Sequence, residues 1–135
     1  PMRCLMLRSF VFALAVALPL SAQAMGTGPA PTSVANPDYA QAEKLIKEWK
    51  YADAIPLLQK VVKDEPKNAD AYNQLGYASR KLNKLPDARI HYAKALEHYT
   101  QAVQIREGAF GASSPRLAFD LYGMGVCLYQ LSRMK

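Results

Sequence analysis

Tyr51-Ala-Asp-Ala54-Ile-Pro-Leu-Leu58-Gln-Lys-Val61 and Leu85-Pro-Asp-Ala88-Arg-Ile-His-Tyr92-Ala-Lys-Ala95 carry one pattern twice, 34 residues apart. In each, a small residue, a large apolar or aromatic one and a further apolar one fall at i, i+4 and i+7. That spacing is one face of an α-helix. Tyr72-Asn-Gln-Leu75-Gly76 precedes Ala88 by the length of one helix and a turn. Self-similarity at such a period predicts stacked helical hairpins, because one hairpin alone buries too little of its apolar surface.

Outward from this core the chain reads as five helices joined by tight turns. The first spans about 37–49, with Asn36 as N-cap and Pro37 at N1, where its missing N–H costs nothing. The second spans about 51–64, with Pro56 in or just past its first turn, and Pro66 stops it. The third runs from an Asn68 cap to Leu82, where Asn83 closes it in the left-handed region. The fourth starts at Pro86 and reaches Arg106 or Glu107, with Gly108-Ala-Phe-Gly111 as its breaker. The fifth has Ser114 as cap, Pro115 at N1, and ends near Ser132. No segment alternates with period two for long enough to predict a strand, so the expected fold is all-α.

The pattern resembles the tetratricopeptide repeat. A first repeat, about 35–68, supplies Ala42, Leu45, Ala54, Leu58, Val61 and Pro66; a second, about 69–107, supplies Tyr72, Leu75, Gly76, Ala88, Tyr92 and Ala95. The resemblance implies a helix-turn-helix solenoid in which Gly76 and Ala88 are small where two helices approach closely. Beyond it the period breaks. Met124-Gly125 is the next site like Leu75-Gly76, and Gly76 to Gly125 is 49 residues. A seven-residue echo, Ala88…Tyr92…Ala95 followed by Ala95…Tyr99…Ala102, predicts a fourth helix two turns longer. This stretch is similar to the longer-period repeats of kinesin-light-chain type. The array therefore counts about 2.5 repeats, with a partial third at 114–135. The fifth helix lacks a hairpin partner in the sequence, so a truncated or fragmentary reading, or pairing with another molecule, is expected.

Ahead of the helices, Arg3 and Arg8 precede the apolar run Phe10–Leu18, and Ala22-Gln23-Ala24 fits a small-x-small cleavage site. Residues 1–24 read as a secretory signal peptide cut after Ala24, and 25–36 as a flexible linker rich in Gly, Pro and Ser/Thr. The apolar run is shorter than the roughly 20 residues a bilayer core requires, so no membrane span is expected after cleavage. Export to the periplasm, or secretion, follows. The whole chain of 135 residues has a net charge of +6; loss of residues 1–24 leaves +4 over 37–135 and the linker. With no Lys/Arg cluster, nucleic acid is not an expected partner. Cys4 departs with the signal, leaving Cys127 alone in the apolar stretch Gly125-Val-Cys-Leu128, where it reads as a buried small hydrophobe.

Catalytic and metal motifs are missing from the pattern. His91 and His98 stand about two turns, roughly 10 Å, apart on one helix, too far for one metal. No His-Glu-x-x-His, Cys-x-x-Cys or Gly-x-Ser-x-Gly occurs. Neither enzyme activity nor a cofactor is expected. The resemblance implies instead a concave groove lined by the first helix of each hairpin, which takes a protein or peptide. Carried over position by position, that groove is Tyr39, Glu43 and Lys47, then Asn73, Tyr77, Arg80 and Lys81, then Tyr122 and Tyr129. The Lys/Asn carboxylate clamp of chaperone cofactors is not reproduced, since Tyr39, Glu43, Gln74, Phe119 and Gly123 occupy its places. Two functions are expected from different classes: a periplasmic peptide-binding scaffold, or a structural fragment of a larger solenoid that self-associates through its last helix.

Overall fold

The computed structural model describes residues 36–135. The signal peptide, its cleavage at Ala24 and nearly all of the linker lie outside the described residues. Five helices follow in order: α1 (Pro37–Lys47), α2 (Tyr51–Asp64), α3 (Ala69–Lys81), α4 (Leu85–Phe110) and α5 (Pro115–Arg133), with no strand among the described residues. The chain is all-α, as expected. Each helix packs mainly on its neighbours in sequence, and α3 at the centre touches all four others.

The backbone repeats with the sequence. At the end of α1, Trp49 N–H donates to Ile46 O (3.0 Å) and Lys50 N–H to Leu45 O (2.9 Å). At the end of α3, 34 residues on, Asn83 N–H donates to Arg80 O (3.0 Å) and Lys84 N–H to Ser79 O (2.8 Å). This paired 6→1 and 5→2 closure is a Schellman motif. Its left-handed residues are Trp49 (φ 64°) and Asn83 (φ 58°). The left-handed turn ends α1 at Lys47 rather than at Trp49, where the sequence pattern had placed it. Asn36 accepts from Asp38 and Tyr39 N–H, and Asn68 from Ala71 N–H. Glu65 ties these two caps together, accepting from Asn36 Nδ2 at 2.6 Å and Asn68 Nδ2 at 2.7 Å.

Inside, Ala42, Ala54, Leu58, Val61, Leu75, Ala88 and Ala95 are fully buried, with Tyr92 among them. The ring of Tyr92 lies over Gly76, where an added Cβ would come within 2.8 Å of it. Leu45 packs on this core half-buried, and Pro66 stands exposed in the α2–α3 turn.

α4 departs furthest from expectation. It begins at Leu85, not Pro86, carries Gly108 inside it, and stops only at Phe110, capped by Gly111 at φ 68°. A glycine within a helix costs only about 1 kcal/mol against alanine, so Gly108 does not break it; the left-handed Gly111 does. With 26 residues against 14 in α2, α4 runs about 18 Å further, more than the two extra turns the echo predicts. α5 folds back along this extension. Tyr99 covers Gly123 from α4, a close approach the sequence reading missed. Arg106 on α4 and Asp120 on α5 form an ion pair, mostly buried.

At the 49-residue spacing, α5 repeats only part of α3. Ala71 and Ala78 correspond to Asp120 and Cys127, and all four are buried against the preceding layer. Tyr72, Gly76 and Ser79, buried in α3, correspond to Leu121, Gly125 and Leu128, all exposed. Nothing lies within 4 Å of a Cβ built on Gly125. The face of α3 that α4 covers is therefore open on α5.

Candidate functional site

The groove residues expected from the sequence divide into three groups. Tyr39 is 6% exposed and belongs to the hydrophobic core with Ala42 and Leu58, so its ring does not line the groove. Removing such a ring from water outweighs displaying it. Glu43 is half-buried and Lys47 exposed on α1. Tyr122 and Tyr129 are exposed on α5, and Tyr129 is engaged by Arg133, whose guanidinium lies 5.6 Å from the ring centroid.

The centre of α3 is where side chains converge. Asn73, Tyr77 and Arg80 are half-buried and Lys81 is exposed. They fall within about two turns of one helix and share a face. The Arg80 guanidinium sits 5.7 Å and the Lys81 ammonium 5.4 Å from the Tyr77 centroid. Asn73 Oδ1 accepts from the Cys127 thiol at 3.8 Å, which ties α3 to α5 beneath the surface. Burial pushes that thiol up to about 12, so Cys127 is no nucleophile at neutral pH.

Two residues that the sequence reading left out complete the cluster. Tyr51, at the start of α2, meets Tyr77 edge-on with centroids 5.9 Å apart, and Trp49 meets Tyr51 edge-on at 6.5 Å. Lys81 reaches Trp49 as well, at 5.7 Å from its ring. Burial and the Tyr77 hydroxyl raise the Tyr51 phenol above its ordinary value. The signal for Trp49 was available: it stands one period before Asn83, at the left-handed position of the turn.

Away from this cluster, a cleft of 470 Å³ lies where the α4 extension and the start of α5 overhang the N-terminus of α3. Its polar groups largely satisfy one another. Glu65 serves the two asparagine caps, Tyr99 OH donates to Asp70, and Arg106 pairs with Asp120. His98, which also lines this cleft, stacks on Tyr72 (5.4 Å), with Lys94 5.6 Å from the same ring. Among the described residues no group of three His, Cys, Asp or Glu is placed to hold a metal, and no helix is long and apolar enough to cross a membrane.

No curated protein and no solved structure matches the chain. A family model does: tetratricopeptide repeat, over residues 45–104. The match runs from the last turn of α1 into α4 and takes in both copies of the 34-residue pattern, the two Schellman turns and the Gly76–Tyr92 contact. Over residues 45–104 the chain carries the tetratricopeptide-repeat pattern, a repeat whose proteins typically serve as non-catalytic scaffolds for protein–protein interaction.

Proposed function

We propose that this protein is a binding scaffold that holds a protein or peptide segment on the inner face of its helical array, centred on α3. The observation that carries this reading is the convergence of Tyr77, Arg80 and Lys81 on one face of the central helix. Tyrosine and arginine at the middle of a contact surface are the residue types that dominate binding energy. Asn73 adds a polar group beside them, and Glu43 and Lys47 extend the face onto α1. The test starts from a peptide selected on the protein from a random phage-displayed library. Tyr77→Ala with Arg80→Ala is expected to weaken its binding at least tenfold, about 1.4 kcal/mol, with the circular dichroism unchanged. Unchanged affinity in that pair, with loss of binding in Arg89→Glu with Glu97→Lys on α4, would place the site on the opposite face.

The scaffold is proposed to work outside the cytoplasm, in the periplasm or secreted. Support comes from the sequence alone: the basic start, the apolar run and Ala22-Gln23-Ala24. Amino-terminal sequencing of protein recovered from an expressing bacterium's periplasm should begin at Met25; a cytoplasmic product retaining residues 1–24 would refute the assignment.

A second reading is favoured by the open face of α5. Leu121 (47% exposed) and Leu128 (51%) flank Gly125, where their counterparts in α3 are covered by a helix. In this reading the chain is a structural module that joins a further helix or a second copy there. Light scattering separates the two: a monomer at working concentration supports the self-sufficient scaffold, and a dimer abolished by Leu121→Lys with Leu128→Lys supports the module.

A further inference from the structure

We propose that Trp49 anchors the partner and that the segment it holds is acidic, a linear stretch with an apolar side chain beside two or more carboxylates; this rests on the groove reading above and adds the partner's chemistry to it. The repeat supplies an internal comparison. Trp49 and Asn83 stand at the same point of two turns closed by the same hydrogen bonds, both left-handed, at φ 64° and 58°. Asparagine enters this region readily, whereas a bulky residue there is an outlier. Strain of this kind persists where the local arrangement has a use. Here it does not serve the core, because Trp49 is 74% exposed.

What the turn displays is the outer end of a ladder of rings. Trp49, Tyr51 and Tyr77 follow one another edge-on, leading from the turn onto the inner face of α3. Lys81 bridges the first and last of them, and Arg80 covers Tyr77. Cations outnumber acids beside the ladder. Lys47 and Lys81 hold equivalent places in the two hairpins, as do Lys50 and Lys84. The acid within the first turn, Glu48, is engaged by Lys50 at 2.8 Å, and none of Lys47, Lys81 and Lys84 is in an ion pair among the described residues. An aromatic ladder edged by uncompensated cations fits an apolar residue on the rings and carboxylates on the ammonium and guanidinium groups.

Trp49 is the only tryptophan of the chain, so its emission reports this site alone. The probes are blocked octapeptides of alternating Glu and Leu, Lys and Leu, and Ser and Leu, with phosphatidylglycerol vesicles alongside. The Glu–Leu peptide is expected to shift the emission and to bind at least tenfold more tightly than the Ser–Leu peptide, and the Lys–Leu peptide to have no effect. Arg80→Glu with Lys81→Glu should abolish the difference between acidic and neutral peptides. Trp49→Asn, which puts the repeat's own residue into the turn, should melt at or above the parent temperature. By anisotropy of a labelled Glu–Leu peptide it should lose at least tenfold in affinity. Equal binding of the three peptides, full affinity in Trp49→Asn, or a shift with vesicles and none with peptides would overturn the proposal; the last outcome assigns the turn to an anionic membrane surface. Loss of affinity in Tyr77→Ala with none in Trp49→Asn leaves the groove standing and removes the anchor. The reverse pattern removes the groove and keeps the turn.

Discussion

The ring of Tyr92 fills the space that a side chain on Gly76 would need: a Cβ there would stand 2.8 Å from Cδ1 and from Cγ of the ring. Gly125 holds the equivalent place in α5 and has open space above it. One repeat position thus carries two opposite constraints, set by the presence of α4 over α3 and, among the described residues, the lack of a helix over that face of α5. Gly76→Ala should destabilise the array by about 1–3 kcal/mol through overpacking, and Gly76→Leu should unfold it or loosen it severely. Gly125→Ala should stabilise by up to about 1 kcal/mol through helix propensity alone. Urea unfolding of the three variants checks this. A Gly76→Ala protein as stable as the parent would contradict the register of the repeat.

Arg106 and Asp120 pin the α4 extension to the start of α5, with only 20% and 11% of their side chains exposed. Asp120→Ala leaves the guanidinium without its partner in that setting and should cost about 3 kcal/mol. Replacing both, as Arg106→Met with Asp120→Leu, should recover most of the loss, since a buried pair often exchanges for apolar residues at little cost. Chemical denaturation of the single and double variants measures the difference. Equal losses in both would show that the pair's surroundings, not the unpaired charge, set the cost.

Alkaline pH should unfold the protein through three groups. Burial raises the Cys127 thiol to about 12, raises the Tyr99 phenol further with the help of Asp70, and raises Tyr92 against the opposing pull of Arg80. Each folded-state value lies above its unfolded one, so the neutral form is the one the fold holds. The stability these groups contribute is complete below their unfolded values, about 8.5 for a thiol and about 10 for a phenol. It falls as pH rises beyond them, by up to about 1.4 kcal/mol per pH unit for each group. Urea midpoints measured between pH 7 and 11 should decline above pH 9, and Cys127→Ala should flatten the first part of that decline. A flat profile to pH 11 would contradict the burial of these groups.

The 34-residue pattern made α2 legible to the residue, because Lys50 and Lys84 close equivalent turns just ahead of α2 and α4 and the apolar stripe of α2 is unbroken. The caps Asn36 and Asn68 and the left-handed Asn83 were legible from short local stretches, because capping and turn closure are local. Trp49 was misplaced in the first helix, since helical spacing alone gives an apolar residue no reason to enter the left-handed region. Gly108 was misread as a stop because a glycine inside a helix costs only about 1 kcal/mol, too little to end one, whereas Gly111 at φ 68° does. The cleft above α3 was invisible, for it depends on how far α4 overhangs its neighbour. In the candidate site, Tyr77, Arg80 and Lys81 were found by position in the repeat. Tyr51 and Trp49 come from a different hairpin and are joined to them only by the stacking of the two.

On the proposed reading the inner face of the array, and not its outer face, receives the partner. An amide ¹⁵N–¹H NMR titration with the selected peptide tests it most directly. The perturbed resonances are expected to cluster at Lys47, Trp49, Asn73, Tyr77, Arg80 and Lys81, while Arg89, Ile90 and Glu97 on the exposed side of α4 stay in place. Perturbations centred on those α4 residues, with Tyr77 and Arg80 unmoved, would contradict it.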